Sequence, residues 1–177
     1  MRGSIEKFEL ALAKDPNFAL AHVGIADAYN QLTGYSYAAP KVSFPKAERE
    51  LLRALELNPQ LSEAYASYGD LKYYYHRDWV GAEEAYKKAI SINPNYPEAR
   101  RWYSHLLLVL GRHQEAHQQI DVGIELKPTS PIMYFGKAVI YLRESNFDAA
   151  KELGNRMVSL DSSYVNGLKI LAQSEFG

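Results

Sequence analysis

The sequence contains no cysteine. That excludes disulfides, thiolate metal sites, redox pairs and cysteine catalysis. It also lacks a long apolar run. The longest aliphatic stretch, Leu106 to Leu110, falls far short of the roughly 20 residues that cross a bilayer. Neither charge predominates: 20 Lys and Arg stand against 21 Asp and Glu, for a net charge of −1. Such balance gives no electrostatic reason to expect nucleic acid or an anionic membrane as a partner. The N-terminus lacks a charged-then-apolar signal pattern, so a cytoplasmic chain is expected. Met1-Arg2-Gly3-Ser4 reads more like an expression leader than a native start. There is no glycine-rich phosphate loop and no GxSxG elbow, and no cofactor is expected.

The histidines offer little chemistry. His113 and His117 lie four apart in "HQEAH" and could share a helix face. The glutamate is at the wrong offset for the zinc-protease HExxH, and no third ligand is evident. His113 reads as a packing residue. No nucleophile, base and orienting group are seen to converge, so an enzyme is not expected.

What the sequence does have is 47% hydrophobic residues, 14 tyrosines and a period. Four similar tails, "AKDPNF", "ELNPQL", "SINPNY" and "ELKPTS", place Pro16, Pro59, Pro94 and Pro128 at spacings of 43, 35 and 34 residues. A fifth tail, "SLDSSY", follows 34 residues on, with Ser162 where proline is expected. With each proline counted as position 32, position 20 reads Ala47, Ala82, Ala116 and Ala150. Position 27 reads Ala11, Ala54, Ala89, Gly123 and Met157. Position 8 reads Ala26, Gly69, Ser104, Ala138 and Ala172. Small residues at these places let two helices approach closely. Large ones fill the space beside them: Phe8, Leu51, Tyr86 and Ile120 at position 24, where the last repeat has Gly154, and Phe44, Trp79, His113 and Phe147 at position 17. Proline at position 32 stops the second helix, because it offers no amide hydrogen and pushes its predecessor out of α geometry.

These residues resemble the tetratricopeptide repeat (TPR) family, a helix–turn–helix unit of 34 residues, over nearly the whole chain. The resemblance implies an all-α TPR solenoid of ten antiparallel helices forming a single array. A leading half-repeat at 4–14 would precede full repeats at 19–61, 62–96, 97–130 and 131–164, with a trailing half-repeat at 165–175. Two departures stand out. The second repeat carries one extra residue near "YYYHRDW", and the first carries nine within "NQLTGYSYAAPKVSFP". Gly34, Pro40 and Pro45 argue against one continuous helix there. Ser43 is expected to cap the second helix, with Pro45 in its first turn. Tyr35 and Tyr37 in this insertion are expected either to fold back on the array or to meet a partner. The insertion, followed by "YYYHRDWVGAEEAYKKAISINPNYPEARRWYS", resembles C-terminal TPR regions of bacterial multidomain signalling proteins: winged-helix regulators, adenylate cyclases and serine/threonine kinases.

The family resemblance also implies a concave groove lined by the first helices at positions 2, 5, 9, 12 and 13. In this sequence it would carry Asp27, Asn30 and Gln31 from the first repeat, and Asp70, Tyr73 and Tyr74 from the second. Arg101 and His105 would follow from the third, and Phe135 and Arg143 from the fourth. One end is acidic and polar, the other mixes cationic with apolar groups, and aromatic and arginine side chains are the usual anchors of interfaces. Two of Tyr73, Tyr74 and Tyr75 are expected to line the groove and one to pack inward. The expected partner is a protein or an extended or helical peptide, with no direct nucleic-acid contact and no membrane insertion. Val23 and Asp27 stand where chaperone-binding TPRs place lysine and asparagine, so no clamp on a chaperone tail's carboxylate is expected. A second possibility is self-assembly through the half-repeat ends, giving a homo-oligomer.

Overall fold

The computed structural model describes residues 2–34 and 37–175. Among these residues the chain forms ten α-helices, one π-helical turn and no strand. The helices fall into two compact units, Met1–Pro94 and Asn95–Gly177.

The first unit holds α1 (Arg2–Lys14), α2 (Ala19–Gly34), α3 (Pro40–Leu57), α4 (Ser62–Leu71), a π turn (Lys72–His76) and α5 (Trp79–Ile92). Its main core joins Val23, Ala26, Phe44, Ala47, Leu51, Ala54, Leu61, Ala64 and Leu71. A smaller core seats α1 on α2 through Ile5, Ile25, Ala28 and Leu32, with Phe8 and Leu12 packed against them. The helix ends follow from sequence. α3 stops at Asn58, which takes extended backbone angles before Pro59 while its N–H bonds the Ala54 carbonyl. α5 stops in the same way at Asn93, before Pro94. In both cases the residue ahead of proline is pushed out of α geometry.

The second unit holds α6 (Pro97–Val109), α7 (His113–Leu126), α8 (Pro131–Arg143), α9 (Phe147–Leu160) and α10 (Val165–Glu175). Proline opens both α6 and α8, where its fixed φ suits the first turn and its missing N–H would have had no partner. Ala138, Ala150, Met157 and Ile170 form a core shared by α8, α9 and α10.

The small residues of the repeat sit at the tightest contacts. Ala26, Ala47, Ala54, Ala82, Ala89, Ala116, Ala138 and Ala150 have no exposed surface. Gly69 shows how little room is left: a Cβ there would lie 2.7 Å from the Tyr86 ring.

The nine extra residues of the first repeat do not form a long loop. α2 has 16 residues where α6 and α8 have 13. α3 has 18 where α7 and α9 have 14. Most of the insertion is therefore spun into longer helices, leaving a short connection. Ser43 does not cap α3. Pro40 takes the first helical position, and Ser43 is already inside the helix, donating its N–H to the Ala39 carbonyl at 3.1 Å. Pro45 lies within the helix. Tyr37 is 69% exposed, so it does not fold into the core; Tyr35 lies outside the described residues.

The extra residue of the second repeat is absorbed differently. Lys72–His76 winds as a π turn, which takes one more residue per turn than an α-helix and ends with the Arg77 N–H on the Lys72 carbonyl. Arg77 then adopts φ 57°, Gly111 φ 74° and Ser145 φ 57°. Each stands two residues before a second helix, beginning at Trp79, His113 and Phe147. One left-handed turn therefore recurs, and only Gly111 takes it without a Cβ.

Candidate partner-binding surface

In the second unit the first helices of successive repeats share two adjoining clefts. α8 supplies the wall between them. Phe135, Val139, Leu142 and Arg143 recur at helical spacing and form one stripe. On one side, this stripe faces Asn166, Lys169, Ile170 and Gln173 of α10 across an open cleft of about 530 Å³ floored by Phe147. On the other, Val139 and Arg143 face His105, Leu108 and Val109 of α6 across a cleft of about 320 Å³ closed by His113.

The charges lining both clefts have one sign. Arg143 and Lys169 are exposed, and no aspartate or glutamate among the described residues lines either cleft. Arg101 lies beside this surface; its side chain packs against Gly136, and its guanidinium stands 5.5 Å over the Trp102 ring. Burial holds the His105 imidazole below the usual histidine range, and the charges of Arg101 and Arg143 push it further down. The nearby carboxylate of Glu144 is taken by histidines, with Oε1 3.3 Å from His113 Nδ1 and Oε2 3.0 Å from His117 Nε2. No group of three or more His, Asp or Glu among the described residues is arranged to hold a metal ion.

In the first unit the expected groove residues are largely engaged within the protein. Ser67 Oγ donates to Asp27 Oδ1 at 2.6 Å, tying α4 to α2. Burial raises the Asp27 carboxyl to about 6, although the Ser67 bond opposes that shift. Tyr86 Oη donates to Asp70 Oδ1 at 3.3 Å. Tyr73 is buried, and burial raises its hydroxyl above the usual tyrosine range against the opposing charge of Arg77. Tyr74 is 46% exposed and meets the Tyr73 ring edge-on at 4.4 Å. Tyr75 stacks on Phe44 at 4.8 Å. Two of the three tyrosines thus pack inward and one faces out, the reverse of the expected division. The π turn explains this, since its extra residue rotates the following side chains relative to an α-helix. Asn30 is half-buried, with its Oδ1 buried and lacking a donor among the described residues; Gln31 is exposed.

Of the ten expected groove residues, His105, Phe135 and Arg143 line the paired clefts. Val23, which stands where chaperone-binding TPRs place lysine, is buried. Sequence reasoning missed His113 and Phe147, which it assigned to packing alone. Each opens a second helix directly after the left-handed turn, so its side chain reaches the front of the repeat. The recurrence of His113 and Phe147 at position 17 was the available signal.

Helical hairpins seated on one another through alanine and glycine at fixed positions define an α-α repeat solenoid of the tetratricopeptide type, a fold of protein-interaction scaffolds. Known proteins agree. Residues 74–134 match the family model described as tetratricopeptide repeat. Human tetratricopeptide repeat protein 6 is 28% identical over 122 residues, which is 68% of this chain and 24% of that protein. The DnaJ homolog subfamily C member 7 homolog of Schizosaccharomyces pombe is 23% identical across 73% of this chain and 30% of its own length. The chain thus spans less than a third of each of these relatives. Among solved structures, a thermophilic TPR protein of Thermus thermophilus superposes with a TM-score of 0.77 at 17% identity, covering 98% of this chain and 89% of that one. Yeast Tom70 gives 0.73 at 22% identity, covering 97% of this chain and 35% of its own. At these identities the structural likeness establishes the fold alone. No helix among the described residues is long and apolar enough to cross a membrane.

Proposed function

We propose that this chain is a non-catalytic scaffold that holds a peptide or a partner domain on the first-helix face of its second unit. The observation that carries this reading is the pair of clefts on either side of the α8 stripe, about 530 and 320 Å³, with apolar walls and cationic rims. Apolar pockets edged by polar groups are how helical scaffolds seat side chains of a docked segment. We read the parent as a bacterial cytoplasmic signalling or regulatory protein. The support is the resemblance of the "YYYHRDW" stretch and the first-repeat insertion to TPR regions of such proteins.

Selection of a random dodecapeptide library on the immobilised protein tests the scaffold reading. Enriched peptides are expected to lose binding to Val139→Glu, which places a charge on the shared wall, and to keep it for Asn155→Glu on the exposed side of α9. Peptides insensitive to Val139→Glu would refute the placement. Self-assembly is the second reading, favoured by Val165 and Leu168 on α10, which are 59% and 50% exposed. Light scattering that shows a concentration-independent monomer would exclude it.

A further inference from the structure

We propose that the paired clefts select a segment in which an aliphatic or aromatic side chain is followed closely by a carboxylate. The apolar side chain would sit between Phe135 and Ile170, and the carboxylate would lie at Arg143 beside His105. This inference rests on the second unit's first-helix face being the docking surface. It adds what that surface recognises and how recognition responds to pH.

The carboxylate behind the smaller cleft is already committed: Glu144 is paired with His113 and His117. Arg143 and Lys169 make no ion pair among the described residues, and they stand on the same cleft. With no aspartate or glutamate among the described residues lining either cleft, a basic segment would meet like charge and an acidic one would meet its complement. The apolar lining of Phe135, Val139 and Ile170 requires an apolar neighbour, because a wholly acidic segment would leave it uncovered. Arg143 belongs to both clefts, so a carboxylate bound there is adjacent to either apolar site.

His105 makes the choice pH-dependent. The charged groups facing it are Arg101 on its own helix and Arg143 from α8. From α7, His113 closes the same cleft with Glu144 behind it. In the free protein the two arginines and burial keep the imidazole neutral near pH 7. A carboxylate arriving at Arg143 offsets that positive field, so the imidazole of the complex holds a proton more tightly. Binding then takes up a proton, affinity rises as pH falls, and the gain is lost as pH rises through the complexed histidine's pKa.

The test uses peptides enriched from a random dodecapeptide library and sensitive to Val139→Glu. They are expected to carry aspartate or glutamate within one helical turn of an aliphatic or aromatic residue. The double variant Arg143→Glu/Lys169→Glu changes exposed positions, so its helix content by circular dichroism should match the parent. It is expected to weaken these peptides about tenfold and to select basic peptides instead. Calorimetry near pH 6 in two buffers of different ionisation heat should show proton uptake that disappears in His105→Gln. Val139-sensitive peptides without acidic preference, or an unchanged preference in the double variant, would overturn this inference and leave the scaffold reading standing. Proton uptake unchanged in His105→Gln would overturn the role of His105. If no enriched peptide is sensitive to Val139→Glu, both readings fall together.

Discussion

Replacing Asp27 with asparagine should make the protein more stable at neutral pH than at acid pH, relative to the parent. Asp27 lies half-buried on α2, and the donor identified for its carboxylate is the Ser67 hydroxyl at 2.6 Å. Burial raises its pKa from 3.8 to about 6. A shift of that size corresponds to about 3 kcal/mol at 1.36 kcal/mol per unit. The sign follows from proton counting. Between the unfolded and folded pKa values the native state binds more proton than the unfolded chain, so stability falls as pH rises through that window. The full contribution is present below about pH 4, and it is lost once pH passes about 6. Asparagine keeps an acceptor for Ser67 and carries no charge. Urea unfolding of both proteins from pH 4 to 8, followed by far-ultraviolet circular dichroism, gives the difference. Taking the difference cancels the other carboxylates, among them Asp78, held below its usual range by the Lys72 hydrogen bond, and Asp161, held down by Ser163. The variant's advantage should grow by about 3 kcal/mol across that range, most of it between pH 4 and 6. A difference independent of pH would refute the claim that this carboxylate is desolvated.

Gly69→Ala should destabilise the first unit by about 1–3 kcal/mol. The new Cβ would lie 2.7 Å from a Tyr86 ring that is 1% exposed and cannot yield; thermal unfolding reads the loss. Arg112 stands at the N-cap of α7 and its side chain makes no capping bond to the helix backbone, where Asp78 and Asn146 each accept one from the third helical residue. Arg112→Asn should therefore stabilise by about 0.5–1 kcal/mol, partly offset by the lost Arg112–Glu115 pair, as denaturant midpoints would show. Val23 is 4% exposed and Asp27 is tied to Ser67, so the first unit offers no clamp for a chaperone tail's carboxylate. Val23→Glu should leave the affinity of a chaperone-type acidic tail peptide unchanged; a clear loss of binding in that variant would contradict this.

The repeat was legible because its signals are local and redundant. Alanine recurs at position 20, small residues recur at positions 8 and 27, and a proline follows each second helix but the last. These fix helix identity and the faces that meet. The insertions were legible as extra residues and not as shapes. Pro40 suits the first turn of a helix as well as it breaks one, so the sequence alone did not distinguish a loop from the 18-residue α3. A single added residue can likewise lengthen a turn or widen it into a π turn, and the choice moved Tyr73 into the core. The candidate surface was half legible. Phe135, His105 and Arg143 follow from repeat position. The engagement of Asp27 by Ser67 and the exposure of His113 and Phe147 to the clefts depend on how neighbouring repeats are seated. That seating is a long-range property that single-repeat positions do not encode.

The central claim is that the first-helix face of the second unit is where a partner docks. Amide and methyl NMR spectra of the protein, titrated with a library-selected peptide, test it most directly. Shifts are expected to concentrate on Leu108, Val109, Phe135, Val139, Leu142 and Ile170, leaving the exposed sides of α7 and α9 unmoved. Shifts centred on those outer helices, or on the first unit alone, would contradict it.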